Sequence, residues 1–183
     1  GIDTIQAKIS IDLANYKSFG LDVIEHVHLT GATALNATGN TLANDLIGNT
    51  GVNKLIGNGG DDTLDGGAGG DRMAGGAGNH TYSVDNMADK VDETGGTGTD
   101  TVLSSITFNL TANGTTVKGD FENLTLTGTG AINGTGNAFN NAIHGNDAVN
   151  KLDGGGGDDT ITGHGGNDLI DVVNGNDTVR FTS

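Results

Sequence analysis

The chain has 183 residues, 23 acidic against 8 basic side chains for a net charge of −15, and only 33% hydrophobic and 4% aromatic residues. A dense apolar core is excluded at that composition, and so is nucleic acid as a partner, because no basic patch exists to meet phosphates. Cysteine is absent and no apolar run approaches the ~20 residues that span a bilayer, which excludes disulfides, thiolate metal sites and a membrane-spanning helix.

Aspartate supplies 20 of the 23 acids. It is the short carboxylate that suits turns and tight metal loops. A shift of 97 residues aligns the chain on itself without gaps, with 33 of 86 overlapping positions identical. Residues 1–97 therefore read as one module and 98–183 as a second that stops early, which predicts a piece excised from a longer parent chain.

In chain order, 9–13 and 27–29 predict short strands, and a period of nine then begins at Gly39. Leu46, Leu55, Leu64, Met73 and Tyr82 fall nine apart. Each follows by two residues Asn44, Asn53, Asp62, Asp71 and His80. After this block (39–83), 101–108 and 124–127 read as strands rich in β-branched residues, forming either wider coils or hairpins. The period returns over 136–180. There Ile143, Leu152, Ile161, Ile170 and Val179 follow Asn141, Asn150, Asp159, Asp168 and Asp177. The unit is G-G-x-G-x-D-x-U-x with U apolar, and Gly66–Ala74 matches it fully.

Nine residues fit no helical face, and glycine costs a helix ~1 kcal/mol per residue against alanine. Three-residue strands alternating with six-residue loops fit better, with the U residue pointing inward. Two nonads make a coil, so loops on one side lie 18 residues apart. That stacks Asp159 on Asp177, Asn150 on Asp168, Asn53 on Asp71 and Asn44 on Asp62. Calcium takes six to eight oxygens, so one loop cannot complete its shell but two stacked loops can. Without a cation the stacked carboxylates repel, so metal binding becomes folding free energy.

These nonads resemble the RTX, or hemolysin-type calcium-binding, repeats. The resemblance implies an all-β, right-handed parallel β-roll and a secreted, extracellular protein exported by type I secretion that folds on meeting Ca²⁺. It also implies ligand sets. One ion would be held by Gly155, Gly157 and Asp159 with Val172, Asn174 and Asp177. A second would use Asn146, Ala148 and Asn150 with Gly163, Gly165 and Asp168. A third would use Asn49, Gly51 and Asn53 with Gly66, Ala68 and Asp71, and a fourth Asn40 and Asn44 with Gly57, Gly59 and Asp62.

The chain departs from the pattern at several places. His80 replaces a sixth-position aspartate, so the Asp62/His80 pair is expected to bind Ca²⁺ weakly or not at all. Sets with asparagine at one sixth position should be weaker than Asp159/Asp177. The nonad from Val172 lacks its leading glycines, and Leu42 and Phe139 mark transition coils. His26 and His28 read as exposed strand histidines rather than a zinc site, and His144 and His164 as loop residues.

No H-E-x-x-H, G-x-S-x-G or cysteine nucleophile is present, so the piece is expected not to be an enzyme. The function that follows is calcium binding by a folding and stabilising module. The alternatives are an adhesin, a surface-layer or polysaccharide-binding segment, a self-associating spacer, or the accessory tail of a secreted protease, lipase or alginate epimerase.

Overall fold

The computed structural model describes residues 1–15 and 23–181. Among the described residues there are twenty strands and no α-helix, and none of their segments is a helix long and apolar enough to cross a membrane. The chain divides into two compact units, Gly1–Gly98 and Thr99–Ser183. Each unit is a parallel β-roll.

In the first unit the strands are β1 (Thr4–Ala7), β2 (Ile11–Asp12), β3 (His26–Leu29), β4 (Asn36–Thr38) and β5 (Asp45–Ile47). They continue with β6 (Lys54–Gly59), β7 (Thr63–Asp65), β8 (Arg72–Ala77), β9 (Thr81–Val84) and β10 (Lys90–Asp92). Odd strands pair in the order β1-β3-β5-β7-β9 and even strands in the order β2-β4-β6-β8-β10, all parallel. Consecutive strands thus lie on opposite faces, which is what a coiling chain gives and a hairpin cannot.

The second unit holds β11 (Thr101–Ser104), β12 (Phe108–Asn109), β13 (Val117–Lys118), β14 (Asn123–Leu126) and β15 (Gly134–Asn137). Its remaining strands are β16 (Ala142–His144), β17 (Lys151–Gly155), β18 (Thr160–Thr162), β19 (Leu169–Asp171) and β20 (Thr178–Arg180). The parallel orders are β11-β14-β16-β18-β20 and β12-β15-β17-β19.

Register separates two kinds of coil. In the nonad blocks partners lie one double repeat apart, as Leu46 beside Leu64 and Leu152 beside Ile170. The coils before each block are wider, with Thr4 beside His26 and Ile11 beside Ala37 in one unit. Thr101 beside Asn123 and Phe108 beside Gly134 match them in the other. The alternatives left open by the sequence resolve as wider coils, not hairpins.

Two expected strands are shorter than the sequence suggested. Residues 101–108 break after Ser104, whose hydroxyl donates to Ile106 O and accepts from Ile106 N–H, turning the chain onto the other face. Of 9–13 only Ile11–Asp12 is extended. His144, expected in a loop, is the last residue of β16. The roll also continues past Ser83, where the nonad period was expected to stop, because Val91 pairs with Met73.

The core is one apolar side chain per nonad. Leu46, Leu55, Leu64, Met73 and Tyr82 are at most 1% exposed, as are Ile143, Leu152 and Ile161. Ile170 and Val179 are only half-buried, on the strands that end their two sheets. Valines at loop tips such as Val52 and Val149 stay exposed. Leu152→Ala should therefore lower unfolding free energy by ~2–5 kcal/mol. Val149→Ala should change it by under ~0.5 kcal/mol. Urea unfolding at fixed calcium concentration checks both.

Candidate metal centre

The loops between strands present their sixth residues in columns. Each aspartate at a sixth position accepts a hydrogen bond from the backbone N–H of the sixth residue one coil earlier. Asp62 Oδ1 takes the N–H of Asn44 at 2.8 Å, and Asp71 Oδ1 that of Asn53 at 2.7 Å. Asp159 Oδ1 takes that of Asn141 at 2.8 Å, Asp168 Oδ1 that of Asn150 at 2.9 Å, and Asp177 Oδ1 that of Asp159 at 2.9 Å. The four stacked pairs inferred from the 18-residue spacing therefore all lie side by side.

The carbonyls of neighbouring loops converge. Cβ atoms added to Gly67 and Gly69 would strike Asn49 O and Gly51 O one coil earlier, at 2.7 and 2.8 Å. One on Gly39 would strike Gly57 O of the next coil at 2.6 Å. Second- and fourth-position carbonyls of a loop thus face the next coil, and first-position carbonyls face back. Any side chain at these leading positions would fill the space. Gly157, with φ +98°, additionally needs a backbone that other residues rarely adopt. In the set built on Asn40 and Asn44, Asn40 O also accepts the N–H of Gly59 directly, at 3.3 Å.

Two loop chemistries occur. Where residues two and six are both asparagine, amides close the loop. Asn141 Oδ1 accepts the N–H of Asn137 in its own loop, while its Nδ2 donates to Phe121 O and Glu122 O of the preceding coil. Asn44, Asn53 and Asn150 do the same, bonding Asn40, Asn49 and Asn146 in their own loops and reaching back to Ile24, Leu35 and Ile132.

In the loops ending at Asp62, Asp71 and Asp159 the second residue turns to positive φ, +79° at Asn58, +71° at Gly67 and +89° at Gly155. No loop N–H then reaches the second carboxylate oxygen. Oδ2 of Asp62, Asp71 and Asp159 is buried with no hydrogen-bond partner. Such orphaned charged oxygens are costly unless something cationic or a proton satisfies them.

Their acidity reflects this. Burial pushes Asp62 up to about 7, against the Asn44 N–H that holds it down, with Asp61 adding repulsion. Burial likewise pushes Asp71 up to about 6, opposed by the Asn53 N–H and reinforced by Asp89, Asp85 and Asp65. Asp159 is raised by burial, with Asp177, Asp158 and Asp153 adding to it.

His80 interrupts one column. Its Nδ1 accepts the N–H of Asp62 at 3.1 Å and lies 3.6 Å from Asp62 Oδ2. Burial lowers its pKa. A ring nitrogen that accepts an N–H carries no proton, so this contact is a neutral histidine beside a carboxyl and not an ion pair. The exposed-strand reading of His26 is incomplete, since its Nδ1 sits 3.1 Å from Asp45 Oδ2.

Sequence reasoning missed two features. Asp89 extends one column, accepting the N–H of Asp71 at 2.9 Å from a loop with no glycine. Its signal was the D-x-U triplet Asp89-Lys90-Val91, still in the nine-residue phase. Fifth-position residues form a second, exposed ladder. Asp158 N–H donates to Asn140 Oδ1 and Asn176 N–H to Asp158 Oδ1, each across 18 residues.

A family model for the RTX calcium-binding nonapeptide repeat matches residues 38–79, 135–170 and 144–179. Those stretches, just under half of the chain, carry RTX calcium-binding nonapeptide repeats. No curated protein matches the chain. The family is one of calcium binders, and the RTX loops of this chain suit that ion on their own terms. Apart from His80, their sixth positions offer only oxygens, hard donors that favour Ca²⁺ over softer metals, and three of the carboxylates have a buried oxygen without a partner.

Two expectations follow. A carboxylate whose folded pKa lies above its unfolded value binds more protons when folded, so the calcium-free roll loses stability as pH rises from about 4 through about 7. Calcium competes with those protons. Its midpoint concentration should therefore fall as pH rises from 5 to 8, as isothermal titration at stepped pH would show. Asn141→Asp removes the amide donors to Phe121 O and Glu122 O. It should lower stability in urea by ~1–3 kcal/mol at fixed calcium. Asp120→Asn, on an exposed side chain, should stay within ~0.5 kcal/mol.

Proposed function

We propose that the chain is a calcium-dependent folding module of a longer extracellular protein, kept unfolded during export by type I secretion and folded by the calcium it meets outside. The observation that carries this reading is the buried, unpartnered oxygen on each of Asp62, Asp71 and Asp159. Among the described residues no lysine or arginine fills the role. Calcium between loops one coil apart supplies the missing charge and ties the coils together.

On this reading the ions are held by the four sets of the sequence analysis, with Asp159 and Asp177 forming the most charged sixth-position pair. The Asn53/Asp71, Asn150/Asp168 and Asn44/Asp62 sets carry one sixth-position charge fewer. The module itself is non-catalytic: its carboxylates lie in repeat phase and serve as ligands. It stabilises and spaces whatever the rest of the polypeptide carries.

Far-ultraviolet circular dichroism during a Ca²⁺ titration of chelator-treated protein tests the proposal. A cooperative gain of β signal at ~10⁻⁴–10⁻³ M Ca²⁺, the range of extracellular calcium modules, is expected with no response to Mg²⁺. A spectrum already folded in chelator and indifferent to Ca²⁺ would overturn it.

A further inference from the structure

The loop from Asp85 to Asp89 lies beyond the residues that the RTX repeat model matches and carries none of the glycines of the nonad. It nevertheless stacks one coil after the loop that ends at Asp71. Asp89 Oδ1 accepts the N–H of Asp71 at 2.9 Å, and Lys90 N–H donates to Asp71 O at 2.8 Å. Asp89 Oδ2 accepts the N–H groups of Asp85 and Asn86, at 3.2 and 3.0 Å, so both of its oxygens are spent on holding the two loops. Asp71 differs. It is fully buried, and its Oδ2 has no hydrogen-bond partner.

Asp65 and Asp85 stand close enough to repel Asp71, and among the described residues no lysine or arginine pairs with any of these four carboxylates. Three like charges near one buried, unsatisfied carboxylate oxygen favour a divalent cation there.

We infer that the loops ending at Asp71 and Asp89 hold an additional Ca²⁺, with Asp71 and the side chain of Asp85 as its charged ligands and Asp89 as the residue that positions them. The inference rests on the calcium reading above but concerns a site outside the nonapeptide pattern. There the second loop contributes a carboxylate from its second position, where the repeat has glycine. Asp85 suits the role because its side chain is exposed and only its backbone N–H is engaged.

The test counts ions. Native mass spectrometry and isothermal titration of the full chain with Ca²⁺ alone should show one ion fewer per chain in Asp85→Asn than in wild type. Asp120→Asn, which removes the same charge elsewhere, should keep the wild-type count. An unchanged count and unchanged affinity in Asp85→Asn would overturn the site while leaving the general calcium reading intact. Absence of any Ca²⁺ binding by wild type would overturn both.

A second readout does not depend on a variant folding. In the ¹³C spectrum of the wild-type protein, the Asp85 carboxyl resonance should shift on saturation with Ca²⁺. The Asp120 resonance should not. A static Asp85 carboxyl would count against the site.

Discussion

The structure depends on one constraint: carboxylates stacked at 18-residue intervals inside a roll too thin to bury them away from one another. Parallel coiling repeats every side chain one coil later, so an aspartate that serves its loop well meets another aspartate, a histidine or an asparagine in a neighbouring coil. Asp71 shows the consequence. It is fully buried, faces Asp89, Asp85 and Asp65, and keeps an oxygen with no partner. A single apolar side chain per nonad is a thin return for ordering nine residues of backbone. The polar loops must therefore contribute to stability, and in the aspartate loops the charge they gather opposes that contribution.

That requirement separates the two loop chemistries. Asparagine at the sixth position accepts from its own loop and donates to the coil before it, so it needs no ion. Aspartate at the same position accepts from the coil before it, and at Asp62, Asp71 and Asp159 it is left with a spare, buried oxygen. Each block opens with two asparagine loops, one on each edge, and continues with aspartate loops. The polar half of the structure is thus graded along the chain, from coils closed by amides to coils that demand a cation. Both kinds use the same backbone column, in which a sixth-position N–H feeds the side chain one coil later.

Much of this was legible in the sequence because the period is short and strict. A nine-residue repeat with one apolar position fixes strands, faces and the 18-residue stacking without further information, and Asn53/Asp71 and Asp159/Asp177 meet as the arithmetic requires. What was not legible lies where the period loses its glycines. Asp89 keeps the phase but sits in a loop of Asp85, Asn86, Met87 and Ala88, so composition hid it. The split of 101–108 into two strands depends on one serine hydroxyl turning the chain, a local bond that β-propensity does not register. The role of asparagine was also hidden. By charge alone Asn141 reads as a weaker aspartate, whereas its geometry makes it a different device, because only an amide can donate and accept at once.

The two units show which of these features the fold holds most tightly. Between positions 97 apart, the inward apolar residues drift: Leu46 corresponds to Ile143, Leu64 to Ile161 and Met73 to Ile170. The asparagines at the second and sixth loop positions do not. Asn40, Asn44, Asn49 and Asn53 correspond to Asn137, Asn141, Asn146 and Asn150 without exception. A core position one residue wide accepts any aliphatic chain of suitable volume, because burial is non-directional. The amide positions accept nothing else. Aspartate would lose the donors to the preceding carbonyls, and an apolar residue would strand both the loop N–H and those carbonyls. Directional bonds, more than the core, therefore mark where each block of the roll begins.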